Sequence, residues 1–232
     1  MRSLALIAVT AALAFSIVGC SSSPAGTQPP GGTQPPGATQ PPGATQPPGA
    51  TQPPVQGALC AGRPTFSLDA VATPVFSQDT ALNAKFPTQV DGQPVTDVTS
   101  SIWFEAACYY GTSTDGLAAF VMLFPGTSST GLSSGSAHVE LNGESVSIQA
   151  IRLAGSDANQ FFSHIPEFIA ALGGDPALAA QSTVTTSNLG GKNVYLVTDE
   201  DGDVSYNYVS GDTVFTVTDG ADAATKVFAA IQ

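Results

Sequence analysis

The stretch His138-Val-Glu-Leu-Asn-Gly-Glu-Ser-Val146 alternates apolar and polar residues on both sides of an Asn-Gly pair. Alternation with a period of two places the apolar side chains on one face of a β-strand. Asn-Gly readily adopts the positive φ values that a two-residue hairpin turn requires. The apolar positions continue at Ile148 and Ala150. This stretch therefore predicts an antiparallel β-hairpin with one buried face, and it makes an antiparallel sheet the framework of the fold.

A second series of alternating segments runs from residue 183 to residue 218. If Gly211-Asp212 forms a two-residue turn, Tyr208 lies opposite Phe215, and one side of that hairpin belongs to the core. The series extends the predicted antiparallel sheet toward the C-terminus.

Helical patterns separate and flank these strands. Residues 101–110 and 115–124 are apolar and short, so we interpret them as helices, although either could be a strand. Residues 156–172 predict a helix that Ser156 caps and that Pro166 kinks or breaks.

A short helix after Asp175 and a final helix that ends near Ile231 complete the prediction. The expected fold class is α+β, with an antiparallel sheet of hairpins packed by a few helices.

Two windows of the sequence also resemble each other. Residues 90–99 and 189–198 share a Gly, two Val and a Thr at the same offsets. Four matches in so short a window suggest a duplication, so the domain could consist of two related halves.

The N-terminus predicts export. Arg2 precedes an apolar run from Leu4, and the run closes with Ile17-Val-Gly-Cys20. This ending resembles the bacterial lipoprotein signal, the lipobox, in which an aliphatic residue stands three positions before an obligatory cysteine. The resemblance covers residues 1–20. It implies that residues 1–19 are a cleaved signal peptide and that Cys20 carries a diacylglycerol and a further acyl chain such as palmitate. The alternatives are a buried helix or an ordinary signal anchor.

A repeat follows the lipidation signal. Between Thr27 and Pro54, Thr-Gln-Pro-Pro recurs every six residues with Gly-Gly or Gly-Ala between the copies. Paired prolines favour polyproline II, and no large apolar side chain is present to build a core. We expect residues 20–55 to be a lipidated, disordered tether and residues 56–232 to be one globular domain.

The charge balance limits the possible partners. Six Lys and Arg stand against eighteen Asp and Glu, for a net charge of −12. Such a surface repels nucleic acid and anionic headgroups. The expected partners are a membrane, through the lipid on Cys20, and an unknown envelope ligand or protein.

Cys60 and Cys108 remain as an even pair in a chain that we expect to meet oxidising conditions. We predict a disulfide between them, and two buried free thiols are the alternative. A bridge would constrain the unfolded chain by about 4 kcal/mol in the chain-entropy model.

One motif has the form of a catalytic site. Gly131-Leu-Ser-Ser-Gly135 matches the nucleophile elbow of hydrolases around Ser133, and Asp157 and His164 follow in the expected order. The elbow needs a strand directly before it and a helix directly after it, which the sequence does not offer. We therefore interpret residues 131–135 as a flexible loop and expect no enzyme activity, with a serine hydrolase as the remote alternative.

The acidic run at Asp199, Asp201 and Asp203 is a weak candidate for a metal site. The EF-hand register fails at its glycine and its final glutamate, and a solvated hairpin turn is the stronger interpretation of the run. We expect neither a metal nor a cofactor.

Trp103, Tyr109 and Tyr110 are the feature most typical of ligand binding. Such rings can line a pocket for an apolar or sugar ligand, although they more often form core.

The sequence as a whole predicts a lipid-anchored, extracytoplasmic envelope protein of the cell membrane or outer membrane. Its expected role is that of a non-enzymatic binding or structural module on a stalk. The alternative is a carrier or receptor for a small or lipidic ligand in an apolar pocket.

Overall fold

The computed structural model describes residues 60, 76–110, 114–128, 130–172 and 174–232, and the predicted signal peptide and tether lie outside them. Eight strands and seven helical segments form in the described part of the chain. The strands are β1 Gln89–Val90, β2 Gln93–Ile102, β3 Leu132–Leu141, β4 Glu144–Leu153, β5 Thr183–Leu189, β6 Lys192–Thr198, β7 Val204–Ser210 and β8 Thr213–Val217. The helices are α1 Thr80–Asn83, α2 Trp103–Tyr110, α3 Thr114–Val121, a 3₁₀ segment Ala158–Ser163, α4 Ile165–Ala171, α5 Pro176–Ala179 and α6 Ala221–Ala230.

All eight strands belong to one antiparallel sheet in the order β1-β2-β3-β4-β8-β7-β6-β5. Two four-stranded meanders therefore meet where β4 pairs with β8, from Gln149 opposite Thr216 to Arg152 opposite Thr213. The predicted antiparallel sheet with helices is confirmed, and the fold contains more sheet than helix.

Both predicted hairpins form as expected. Asn142 and Gly143 take φ values of 56° and 83° between β3 and β4, so the turn keeps the alternating apolar residues on one face. Gly211 takes a φ of 63° between β7 and β8. This turn places Tyr208 opposite Phe215, as predicted.

The predicted helices form, but several begin or end at other residues than predicted. Residues 103–110 and 114–121 are helical, but Ser101 and Ile102 belong to β2 because they pair with β3. Asp157, not Ser156, caps the 3₁₀ segment, since its carboxylate accepts the Asn159 amide. The helical stretch breaks at His164, and Pro166 lies in the first turn of α4.

The prediction of a loop at residues 131–135 is wrong. Residues 132–135 begin β3 and pair with β4 on one side, and residues 133–135 also pair with β2 on the other. Gly135 fits because a Cβ there would lie 2.8 Å from the Thr99 carbonyl oxygen. Packing between two neighbouring strands outweighs the low strand propensity of glycine and serine.

Each face of the sheet carries its own core. Helices α1 and α6 cover one face, where Leu82, Phe86, Phe215 and Phe228 are buried. The other face is covered by α2, α3, the 3₁₀ segment and α4, whose aromatic side chains pack together. The rings of this second core are those of Phe120, Phe124, Phe161 and Phe168.

A disulfide joins Cys60 to Cys108 in α2, with 5.4 Å between the two Cα atoms. The predicted pairing is confirmed. It fixes the start of the folded part against the second core. None of the helices in the described ranges is both long and apolar enough to cross a membrane.

Candidate functional site

A groove opens where β6 and β7 separate. The two strands pair from Thr198 opposite Val204 as far as Tyr195 opposite Asn207, and the ladder stops there. Lys192 and Asn193 of β6 and Val209 of β7 lie beyond the last pair and line a groove of about 750 Å³. The groove thus arises because two neighbouring strands diverge within a continuous sheet.

The lining of the groove is mainly polar. Amides, hydroxyls and two aromatic rings face it, and the only charged group among the described lining residues is one lysine. These residues are Asn159, Thr186, Ser187, Gly191, Lys192, Asn193, Val194, Tyr195, Tyr208 and Val209. Although the chain has a net charge of −12, none of its carboxylates is among the described lining residues, so the lining presents mainly neutral hydrogen-bonding groups.

Lys192 joins the two separated strands on the side of α6. Its ammonium group donates to the Tyr208 hydroxyl and to the Ile231 carbonyl oxygen, each at 3.1 Å. The same ammonium lies 4.8 Å from the centre of the Tyr208 ring. These contacts hold the lysine and the tyrosine in place and connect the groove to the end of the chain after α6.

Tyr195 is fixed on the opposite side of the sheet. Its ring stacks on Phe162 with centroids 4.0 Å apart, and its hydroxyl donates to the Asn159 side-chain oxygen at 3.2 Å. The Asn159 amide nitrogen in turn donates to Asp157, the cap of the 3₁₀ segment. A ring and an amide are therefore oriented before any ligand arrives, which lowers the entropy cost of binding.

A row of polar side chains continues from the groove across the sheet. Tyr195, Asn207, Thr216, Gln149 and Ser136 are successive cross-strand neighbours on one face. The Thr216 hydroxyl donates to the Asn207 side-chain oxygen at 2.8 Å. The Gln149 side-chain oxygen is buried and has no hydrogen-bond partner among the described residues. The row of polar side chains that starts at Tyr195 therefore includes a buried acceptor without a partner among the described residues.

A charged network lies on the other face, beneath α1. The Asp79 carboxylate accepts from Ser133 at 2.6 Å and from Arg152 at 2.9 Å. Arg152 also donates to Asp212, and Lys85 pairs with the second oxygen of that carboxylate at 2.9 Å. The network connects α1 to β3, β4 and the turn before β8.

The two carboxyl groups of this network have lowered pKa values. Partial burial would raise the pKa of Asp79, but hydrogen bonds from Ser133, the Leu82 amide and Arg152 outweigh it and lower the pKa. Burial would also raise the pKa of Asp212, but the hydrogen bonds from Lys85 and Thr213 and the charges of Lys85 and Arg152 together outweigh it, so this pKa is lowered as well. Both groups are held as carboxylates.

The residues of the hydrolase hypothesis lie on different faces of the sheet. Ser133 lies within β3 toward α1, and its hydroxyl donates to Asp79. His164 packs against Phe124 in the second core, and its Nδ1 atom lies 3.8 Å from Glu167. Ser133 occupies a strand rather than a turn between a strand and a helix, and His164 lies on the opposite face of the sheet, so the predicted serine and histidine do not meet.

The aromatic residues of the predicted ligand site pack against different partners. Trp103 stacks on Phe168 in the second core, with centroids 5.3 Å apart. Tyr109 packs edge-on against Phe76. The side chain of Tyr110 lies outside what the structure describes. Trp103 therefore contributes to the core, as its alternative interpretation proposed.

Asp199 stabilises the turn between β6 and β7. Its carboxylate accepts the backbone amides of Asp201 and Asp203, and the Asp199 side chain is buried. Within the described ranges, no three potential ligand residues cluster as a metal site would require. Asp199 therefore belongs to a hairpin turn, as one interpretation of the sequence proposed. Its side chain is buried, however, whereas we expected a solvated turn.

Sequence reasoning missed the groove. The one available signal was Lys192, the single basic residue between positions 183 and 218, close to Tyr195. Comparison of the chain with known protein families, with curated proteins and with solved structures found no match.

Proposed function

We propose that the protein is a lipid-anchored, extracytoplasmic binding module that is carried on a Pro-rich stalk. Its groove between β6 and β7 binds a neutral polyhydroxylated ligand such as an envelope saccharide. The observation that carries the proposal is the set of fixed amide, hydroxyl and aromatic groups around Tyr195, with no carboxylate among the described lining residues. Amides and hydroxyls exchange hydrogen bonds with sugar hydroxyls, and a ring offers an apolar surface to a sugar face.

The sequence outside the described residues supports the anchored location. Ile17 to Cys20 resembles a lipoprotein signal, and the repeat from Thr27 to Pro54 separates that signal from the folded part. A disulfide in the folded part agrees with an oxidising compartment. A saccharide is a ligand that such a compartment supplies beyond the lipid surface.

A polar ligand is favoured over the lipidic ligand of the alternative reading. The space beneath Trp103 is filled by the Phe168 ring, which packs in turn against Phe120 and Phe161. No catalytic step is assigned, because Ser133 and Asp79 form a structural hydrogen bond.

We also infer that the two meanders descend from a duplication. The similar windows at residues 90–99 and 189–198 include the turns of the β1–β2 and β5–β6 hairpins, which lie at opposite ends of the sheet order. Val90 pairs with Gln93 and Leu189 with Lys192, so the two turns have the same length. Asp91-Gly92 and Gly190-Gly191 all take positive φ values.

A glycan array followed by titration calorimetry tests the proposed ligand class. The Tyr195→Ala variant should bind the best oligosaccharide at least tenfold more weakly, because the ring and its bond to Asn159 are lost. Thr96→Ala, at the far end of the sheet, serves as the matched control and should bind like the wild type. Equal binding by Tyr195→Ala, or the absence of any binding oligosaccharide, would contradict the proposal.

A further inference from the structure

The two outer edges of the sheet differ in how they are protected. At the first edge, β1 covers only the start of β2, at Gln93 and Pro94. Beyond it, Asp97 takes a φ of 54°, and the pairing of β2 with β3 shifts register between Thr96 and Thr99. The Ile102 amide donates to the Ser77 carbonyl oxygen. A proline, a bulge and a covering segment are devices that prevent strand addition at an edge.

Among the residues that the structure describes, the second edge has none of these devices. Strand β5, Thr183–Leu189, pairs with β6 at all seven residues without a register shift. Its sequence Thr-Val-Thr-Thr-Ser-Asn-Leu contains no charge, no proline and no glycine, and four of its residues are β-branched. The side chains of residues 183–186 are exposed, including 39 % of Val184. Such an edge is a template for another strand.

The described part of the chain places no further strand against this edge. The repeat from Thr27 to Pro54 carries two prolines in every six residues, and each proline lacks the N–H group that a ladder needs.

We propose that β5 pairs antiparallel with β5 of a second copy about a two-fold axis at Thr186, so that the two sheets become one. In this register Thr186 lies opposite its own copy, and Val184 lies opposite Asn188 of the second copy. Pairs of threonines stabilise antiparallel strands, and the seven pairs bring no like charges together. Two copies of a chain with a net charge of −12 repel each other through their acidic surfaces. Strand β5 carries no charge, so the two copies can approach each other along this edge.

The pairing also places two grooves near each other, because Thr186 and Ser187 of β5 line the groove. A dimer would then offer two sites to one polymeric ligand and gain avidity. The dimer itself does not depend on the ligand or on the proposed function.

Register-specific cross-linking of the full chain in isolated membranes tests the two-fold pairing. Thr186→Cys should form a disulfide-linked dimer under mild oxidation. Val184→Cys alone and Asn188→Cys alone should cross-link at least fivefold less, and the two expressed together should restore the dimer. Equal cross-linking of all three single variants, or no dimer from Thr186→Cys, would overturn the proposed register.

A second measurement tests the pairing even if the cysteine variants do not fold. The full chain in detergent should elute as a dimer in size-exclusion chromatography with light scattering, and Thr186→Lys should elute as a monomer. Thr186→Lys should unfold at the same temperature as Thr96→Lys, a matched change on the other edge. A monomeric wild type, or a dimeric Thr186→Lys variant, would refute the pairing.

Discussion

Asp79 connects α1 to two strands that lie far from it in the sequence. One carboxylate oxygen caps α1 by accepting the amides of Ala81 and Leu82, and the other accepts the Ser133 hydroxyl. Arg152 donates to both oxygens. A helix of only four residues has little stability of its own, so this cap and ion pair hold α1 on the sheet.

Replacement of Asp79 by Asn should expose the ionic part of this role. Asn still caps a helix but loses the charge that faces Arg152, so we expect a loss of about 1.5 kcal/mol in the free energy of unfolding at pH 7. The pKa of Asp79 is lowered in the folded chain from an ordinary value of 3.8. The stability that this shift contributes is therefore complete above pH 3.8 and is lost as the pH falls through the folded pKa. The difference between wild type and variant should shrink below pH 4.

Urea unfolding at pH 7 and at pH 3 measures this difference. Asp157→Asn, in which the exposed cap of the 3₁₀ segment loses its charge, provides the control and should cost less stability at pH 7 than Asp79→Asn does. A wild-type to Asp79→Asn difference that is the same at both pH values would contradict the ionic role.

Sequence reasoning did not find Asp79 because its partners are remote. Ser133 lies 54 positions away and Arg152 lies 73 positions away. Periodicity and capping patterns report on neighbours within about one turn or one hairpin, so they could not predict that these three side chains meet.

The hairpins and helices were predictable because local chemistry specifies them. Asn142-Gly143 fixes both the turn and the register of β3 with β4, and Pro166 fixes the break before α4. Residues 131–135 were not predictable from the same rules. Their glycines and serines favour loops, and only the strands on either side make them a strand.

Two glycine substitutions distinguish the backbone requirement of the β3–β4 turn from the packing requirement within β3. Gly143→Ala should cost about 1 kcal/mol from backbone strain alone, since φ is 83° and no atom lies within 4 Å of the new Cβ. Gly135→Ala should cost about 2 kcal/mol or more, because the new Cβ meets the Thr99 backbone oxygen at 2.8 Å. Thermal unfolding of the two variants measures both costs. A larger loss in Gly143→Ala than in Gly135→Ala would contradict the assignment.

At the scale of the whole molecule, the meeting of β4 with β8 decides the architecture. Gln149 and Thr216 are separated by most of the second meander, and their pairing depends on the two cores rather than on any turn. The groove depends on the same arrangement, because it forms where β7 follows β8 and leaves β6. The fold class could therefore be predicted from the sequence, whereas the candidate site could not.

The stalk predicts how the whole molecule must be presented to work. Its repeat favours polyproline II, which rises about 3.1 Å per residue, so residues 25–54 would reach about 90 Å from the lipid that we propose on Cys20. Deletion of residues 27–50 should leave the thermal unfolding of the folded part and the acyl labelling of Cys20 unchanged, since neither involves the repeat. The same deletion should abolish complementation of a strain that lacks the protein, because the groove would then lie too close to the membrane to meet a ligand beyond it. A substitute spacer of the same length, rich in proline but unrelated in sequence, should restore complementation. Full complementation by the deletion variant would refute the need for reach, and failure of the substitute spacer would show that the Thr-Gln-Pro-Pro sequence itself is recognised.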